Sequence, residues 1–147
     1  MFTEEKIGAL ATAEKDAQQK VETAEKGDNQ KVLIDSLFAL GDIYRERRNF
    51  YYAENTYKRA QELSEKQDSN DFGTGKALAR LAQLDVDRGK KREAEELFNK
   101  SLDLALKAGR SQADPDAGLV LRDYAKLLYK ENRFEDVKKM YARFKVI

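Results

Sequence analysis

The sequence predicts an all-α protein with seven helices, and three observations support this. A single proline, Pro115, and only eight glycines interrupt the 147 residues, so long helices can persist. Apolar residues make up 41% of the chain and charged residues 37%, which is typical of helices with one buried and one hydrated face. Apolar residues also recur with the 3.6-residue period of a helix, and no strand is predicted.

The first predicted helix spans residues 4–26 and lies within an N-terminal capping segment, residues 3–27. Thr3 can cap it, and Glu4 and Glu5 suit the positive end of the helix dipole. Its apolar stripe is thin, so we expect it to cover an end of the helices that follow. The stripe consists of Ile7, Leu10, Ala11, Ala17 and Val21.

The rest of the chain repeats one pattern three times. Six positions keep the same internal spacing in each copy, and the copies are offset by 41 and then 43 residues. Only the connections between copies vary in length, as expected when loops absorb insertions. The three sets are Leu37, Leu40, Gly41, Tyr44, Ala53 and Tyr57; Leu78, Leu81, Ala82, Asp85, Ala94 and Phe98; and Leu121, Tyr124, Ala125, Leu128, Val137 and Tyr141.

Each copy is predicted to be a pair of helices, over residues 31–66, 73–109 and 115–147. The two helices of a pair are separated by a polar break in which Asn49, Gly89 or Asn132 can adopt a left-handed conformation. Asp114 followed by Pro115 is a strong signal for the start of the helix that opens the third pair.

These repeats resemble the tetratricopeptide repeat family, whose signature is W-x2-L-G-x2-Y followed by A-x3-F. "LFALGDIY" and "AENTY" match it, with Leu37 in place of Trp and Tyr57 in place of Phe. "LARLAQLD" with "AEELF" and "LRDYAKLL" with "VKKMY" match more loosely, and the resemblance covers residues 34–147. The long period is similar to the subclass found in kinesin light chains and bacterial peptide-sensing regulators. The resemblance implies a right-handed α-solenoid of stacked antiparallel helix pairs, forming one domain over residues 1–147.

Small residues at fixed points of the motif are interpreted as helix crossings. Two helices approach to about 8–10 Å only where the side chains between them are small. We expect Gly41 and Ala53 to form the crossing in the first pair, with Ala60 at the contact with the next pair.

Asp85 stands where the family has an aromatic residue. Either it forms a structural ion pair with Arg88 or Arg92, or it contributes to a binding surface.

The composition argues against catalysis and against a cofactor or metal. The chain has no cysteine and no histidine, which removes the usual metal ligands, the thiolate nucleophile and the commonest general base. The string "FGTGK" lacks the leading glycine and the final Ser or Thr of a phosphate-binding loop. Acidic runs are interpreted as solvated helix faces. No enzyme activity is predicted.

The charge balance and hydropathy point to a cytoplasmic protein without a membrane partner. The net charge is +1, no apolar run approaches the roughly 20 residues of a membrane span, and the N-terminus does not resemble a signal peptide. Basic residues accompany Tyr129, Phe134, Tyr141 and Phe144 near the C-terminus. These aromatics recur at helix-core spacing, so nucleic-acid stacking is the less favoured interpretation.

A concave groove lined by the first helix of each pair is the predicted functional surface. The positions off the packing stripe are candidates to bind a peptide, since aromatic rings and arginines are common anchors at interfaces. They are Asp35, Phe38, Asp42, Arg45, Lys76, Arg80, Gln83, Arg122, Lys126 and Tyr129. The two-carboxylate clamp of chaperone-binding relatives is not matched, because Phe38, Asp42, Leu119 and Asp123 occupy its outer positions.

The C-terminal edge is predicted to be apolar and exposed. Val137 and Tyr141 should pack within their own pair, which leaves four side chains with few neighbours: Met140, Phe144, Val146 and Ile147. Either a second copy of the chain, most simply in a homodimer through the last helix, or further repeats of a longer protein would cover them.

The predicted function is an interaction scaffold that holds a protein or peptide partner. The alternative is a regulatory peptide-sensing or oligomerisation module cut from a larger multidomain protein.

Overall fold

A computed structural model describes residues 3–67 and 72–144, and over these ranges it contains seven α-helices and no strand. This confirms the predicted all-α fold. The helices pack sequentially and antiparallel within two compact units, unit 1 (Met1–Gln67) and unit 2 (Asp68–Ile147). Unit 1 holds α1 (Glu4–Lys26), α2 (Gln30–Glu46) and α3 (Phe50–Glu65); unit 2 holds α4 (Gly73–Asp87), α5 (Lys91–Lys107), α6 (Pro115–Lys130) and α7 (Phe134–Ala142).

In unit 1, α2 is the central helix and contacts both α1 and α3. The Thr3 hydroxyl accepts a hydrogen bond from the Lys6 N–H at 3.1 Å, so the predicted cap of α1 is confirmed. The buried stripe of α1 is narrower than predicted. Leu10, Ala17 and Val21 are buried, whereas Ile7 and Ala11 are exposed because α1 packs closely only against α2 within this unit.

The crossing of α2 and α3 depends on Gly41. A β-carbon built there would lie 2.6 Å from Cδ1 of Tyr57, well inside van der Waals contact. Tyr57 has no room to move, since its side chain is fully buried and its hydroxyl donates a 2.6 Å hydrogen bond to Asp42. The close approach predicted at Gly41 is therefore confirmed.

Unit 2 is built around one apolar core that includes residues from all four of its helices. The Phe98 ring stacks on Tyr124 with their centroids 5.2 Å apart. Gly75 lies beneath the buried Phe72 ring, and its carbonyl accepts a 2.7 Å hydrogen bond from Ser101 on α5. Gly75 of "FGTGK" thus leaves room for the Phe72 ring against α4, which is a structural role.

Left-handed residues end α2, α4, α5 and α6 in the same way. After α4, Gly89 has φ 77° and the N–H of Lys90 donates to the Asp85 carbonyl at 2.8 Å, which is a Schellman cap. Gly89 and Asn132 were predicted to take this role, and both do. The prediction for Asn49 is wrong by one residue: Arg48 has φ 62°, while Asn49 is the N-cap of α3 with φ −89°. Arg48 is the residue that aligns with Gly89 and Asn132 in the repeat.

The expected apolar C-terminal edge is not present among the described residues. Met140 and Phe144 are only 6% and 3% exposed, and Phe144 belongs to the core of unit 2, so the prediction that they are exposed is wrong. The reason is that α7 turns its polar residues outward, and Arg143 forms an ion pair with Asp103 on α5. Val146 and Ile147, the other two residues predicted there, lie outside the described residues.

Replacing Gly41 with alanine or leucine should destabilise unit 1. Overpacking against Tyr57 costs roughly 1–3 kcal/mol, which exceeds the gain of about 1 kcal/mol from better helix propensity in the alanine variant. The free energy of unfolding, measured in urea, should therefore fall. Gly8→Ala is a matched control, because Gly8 is exposed within α1 with no neighbour within 4 Å of a built β-carbon. An equal gain in both alanine variants would contradict the crossing at Gly41.

Replacing Gly89 with alanine should destabilise unit 2 by about 1–2 kcal/mol, because a β-carbon is disfavoured at positive φ. Arg48→Ala is the control at the equivalent position, where a β-carbon is already present. It removes the contact of the Arg48 guanidinium with the Phe50 ring, at 4.9 Å, and should cost at most about 1 kcal/mol. Urea unfolding of both variants provides the measurement, and no loss of stability in Gly89→Ala would contradict the expectation.

Candidate peptide-binding surface

The predicted groove residues of unit 2 lie on α4 and α6, which contact each other. Lys76, Arg80 and Gln83 are partly exposed at helical spacing along α4. The other side chains of α4 before Asp85 are buried, apart from Thr74, so this stripe is the accessible face of the helix. The helical phase predicted for these three residues agrees with their exposure.

The exposed ridge of α6 consists of Leu119, Arg122, Lys126 and Tyr129. These residues follow one another at spacings of three and four, so they lie along one side of the helix. Phe134, the first residue of α7, is also exposed and packs against Tyr129 with a centroid separation of 5.8 Å. Sequence reasoning missed Leu119 as an exposed apolar contact. It also assigned Phe134 to helix-core spacing, although its place at the start of α7 was a usable signal.

Positive charge on this surface is concentrated at Arg122 and Lys126. Lys76 is close to Asp116, with 3.9 Å between Nζ and Oδ1, so its charge is partly balanced. Within the described residues, neither Arg122 nor Lys126 forms an ion pair, and both are exposed. The ridge can therefore attract an anionic group without first breaking an internal pair.

Arg122 also borders a small cavity of about 250 Å³. The cavity lies between the start of α6, the preceding loop and Tyr141 of α7. Burial raises the pKa of Tyr141, and the nearby Tyr129 raises it further, whereas Arg122 lowers it. A side chain bound on the ridge thus has an adjacent recess; the residues that line it are Gln112, Ala113, Asp114, Pro115, Gly118, Arg122 and Tyr141.

The part of the predicted groove on α2 belongs to unit 1 and is more acidic. Asp35 and Asp42 are exposed and Arg45 is partly exposed, although Asp42 also accepts the hydrogen bond from Tyr57. The prediction that Phe38 is exposed is wrong, since it is only 4% exposed. Because α2 packs against both α1 and α3, its buried face is wider than the motif indicates.

A polar network supports the α6–α7 end of the surface. Arg133, which precedes α7, donates to both oxygens of Glu95 on α5 at 2.7 and 2.8 Å, and its Nε donates to Asp136 at 2.8 Å. The Tyr124 hydroxyl donates to Glu95 at 2.9 Å. The hydrogen bonds from Arg133 hold the pKa of Glu95 below its usual value despite its burial, and burial together with Glu95 raises the pKa of Tyr124. This network fixes the position of Arg133 next to Phe134.

The half-buried Asp85 lies at the end of α4, where its backbone carbonyl accepts the cap from Lys90. Partial burial agrees with the expectation from the motif, and pairing with Arg88 or Arg92 stays a prediction.

No group of three or more acidic side chains suited to a metal ion occurs in residues 3–67 and 72–144. None of the helices in these ranges has the length and apolar content that a bilayer crossing needs.

Consecutive antiparallel helices with a repeated small–large crossing define a helical-repeat protein. The tetratricopeptide repeat family model matches residues 32–107, which include α3, α4, α5 and nearly all of α2. The chain belongs to the tetratricopeptide repeat family. Repeats of this family are generally protein–protein interaction modules and typically not catalytic.

A solved structure with the same fold is the crystal structure of BtubC (BKLC) from P. vanneervenii. The TM-score is 0.77 and the sequence identity is 20%, over 92% of this chain and 55% of that one. The chain thus spans about half the length of this structural neighbour, and the likeness shows the fold alone. No curated protein sequence matches the chain.

Replacing Glu95 with glutamine should lower the free energy of unfolding by about 1–3 kcal/mol near pH 7, because charge-assisted hydrogen bonds to Arg133 are lost. The folded-state pKa of Glu95 lies below its ordinary value of 4.5, so this contribution is complete above pH 4.5 and disappears as pH falls through the folded-state pKa. The difference between wild type and variant should therefore shrink below about pH 4.5. Glu96→Gln, at the exposed neighbouring position, is the control and should have little effect at any pH.

Proposed function

We propose that the chain is an interaction scaffold and that the face formed by α4 and α6 binds an acidic segment of a partner protein. The observation that carries the proposal is the α6 ridge, where Arg122 and Lys126 stand exposed between Leu119 and Tyr129. Cationic groups supply attraction for carboxylates, and the flanking apolar side chains supply contact area. Membership of a family of interaction modules supports the same conclusion.

The geometry of the ridge suggests how a segment would lie. From Leu119 to Tyr129 the ridge spans eleven residues of α6, or about 15 Å at the rise of an α-helix. An extended strand of about five residues, or a short helix, can follow this length. A carboxylate opposite Arg122 would lie beside the recess at Tyr141, and an apolar residue would contact Tyr129 and Phe134.

The partly exposed α4 stripe would add hydrogen bonds at the side of the segment. Arg80 and Gln83 carry donors that match carboxylate and backbone carbonyl oxygens. On unit 1, the acidic stripe of α2 with Asp35 and Asp42 would favour a basic residue instead. The proposed preferences of the two units thus have opposite sign.

Peptides selected from a random displayed library on the intact chain should be enriched in Asp and Glu together with aromatic or aliphatic residues. Binding of a selected peptide, measured by fluorescence anisotropy, should weaken as NaCl rises from about 50 to 500 mM, because salt screens exposed charges. The double variant Arg122→Glu, Lys126→Glu should reduce affinity by about tenfold or more, since two attractions become repulsions.

The matched control reverses two exposed lysines of α5, with Lys91→Glu and Lys100→Glu. This control changes the net charge by the same amount but leaves α6 intact. It should therefore retain most of the affinity at equal salt. Equal losses in the two double variants would show a general charge effect and contradict the assignment to α6. Selection of peptides without acidic residues would also contradict the proposal.

A further inference from the structure

Unit 1 carries a surface of aromatic rings that the predicted groove does not include. Tyr51 and Tyr52, in the first turn of α3, are 69% and 52% exposed. Their ring centroids are 5.7 Å apart, and Tyr52 lies 5.4 Å from Tyr44 at the end of α2. Three rings therefore follow one another, and we call Tyr44, Tyr51 and Tyr52 the tyrosine surface.

The internal repeat shows that packing does not require tyrosines at these two positions. The second and third pairs have the same turn and the same helix start, yet they carry charged residues there. Because α5 and α7 form with those charged side chains, the fold has no need of exposed rings at this place. The residues equivalent to Tyr51 are Arg92 and Glu135, and those equivalent to Tyr52 are Glu93 and Asp136.

The tyrosine surface is bordered by charges that already have partners. Arg47, in the turn, pairs with Glu14 at 3.0 Å, and Glu54, one helical turn beyond Tyr51, pairs with Lys58 at 2.8 Å. The Arg48 guanidinium lies over the Phe50 ring. The charges of Arg47 and Glu54 are balanced by these partners, which leaves the rings as the main contact surface and favours an uncharged ligand over an acidic peptide or a nucleic-acid backbone.

The exposed hydroxyls add directional donors. Within the described residues, the hydroxyls of Tyr51 and Tyr52 form no hydrogen bond, whereas the Tyr44 hydroxyl accepts one from Gln18 at 3.0 Å. A proline-rich segment offers apolar pyrrolidine rings for stacking and backbone carbonyls that lack internal hydrogen bonds. Exposed tyrosine rings with hydroxyl donors are complementary to these pyrrolidine rings and carbonyls. A proline-rich segment is also already extended before it binds.

We propose that the tyrosine surface binds a proline-rich segment of a partner protein in the polyproline II conformation. This surface is distinct from the α4–α6 face of unit 2 and does not depend on the function proposed for that face. The pyrrolidine rings would contact Tyr51 and Tyr52, and the Tyr hydroxyls would donate to the carbonyls of the segment.

Decaproline is the direct probe, added to the isotopically labelled intact chain and followed by amide and tyrosine ring NMR shifts. We expect saturable shifts confined to the end of α2 and the start of α3. Affinity should change less than about twofold between 50 and 500 mM NaCl, because no net charge is involved. An acidic peptide bound to unit 2 should show the opposite salt response, which separates the two proposals.

The variant Tyr51→Ala, Tyr52→Ala should weaken decaproline binding by about tenfold or more, whereas Tyr51→Phe, Tyr52→Phe should lose only the part due to the hydroxyls. The matched control is Arg92→Ala, Glu93→Ala, which alters the equivalent positions of α5 and should leave binding unchanged. Tyr51→Ala alone, at the more exposed position, keeps the test valid if the double variant unfolds.

Three results would overturn the proposal. The first is the absence of NMR shift changes at about 1 mM decaproline, which would place the Kd for decaproline well above that concentration. The second is binding that persists in folded Tyr51→Ala, Tyr52→Ala. The third is a change in the tyrosine ring shifts from a cause other than decaproline. The ring shifts could depend on protein concentration in the absence of peptide, or they could change with maltohexaose and not with decaproline. Those shifts would assign the surface to a second copy or to a carbohydrate.

Discussion

The first helix pair depends on a large ring, Tyr57, seated against a small residue of its first helix, Gly41. The approach is so close that even one added carbon on Gly41 would overlap the ring. The second pair places Ala82 and Phe98 at the same two positions, and both are fully buried. In the third pair the positions hold Ala125 and Tyr141, and Tyr141 is only partly buried.

This packing decides which residues remain for binding. The described interior of unit 2 is occupied by apolar side chains, together with the fully buried Ser101, whose hydroxyl donates to the Gly75 carbonyl. The charged side chains of α4 and α6 that could bind a partner therefore lie at the outward positions of these helices. The network of Glu95, Tyr124 and Arg133 joins α5, α6 and the start of α7, so it holds the ridge without taking part in it.

The internal repeat also separates structural from functional residues within one chain. Positions that keep the same character in all three pairs, such as Leu37, Leu78 and Leu121, serve packing. Positions that differ without any change of fold are free to serve binding. By this comparison, Tyr51 and Tyr52 are candidates for binding because their counterparts are charged. Arg122 and Lys126 are candidates because both are exposed and form no ion pair with any described residue.

The sequence by itself determined the helices, the caps at Thr3 and Asp114, the left-handed turns at Gly89 and Asn132, and the crossing at Gly41. These features are local or depend on a repeated spacing, so the residue types suffice. Only the tertiary structure decided that Phe38, Met140 and Phe144 are buried. Helical phase gives the direction of a side chain, but the neighbouring helices determine how wide the covered face is. The tertiary structure also decided that Arg133 pairs with Glu95, 38 residues away in the chain. Such a pair depends on how the helices pack and leaves no periodic signal in the sequence.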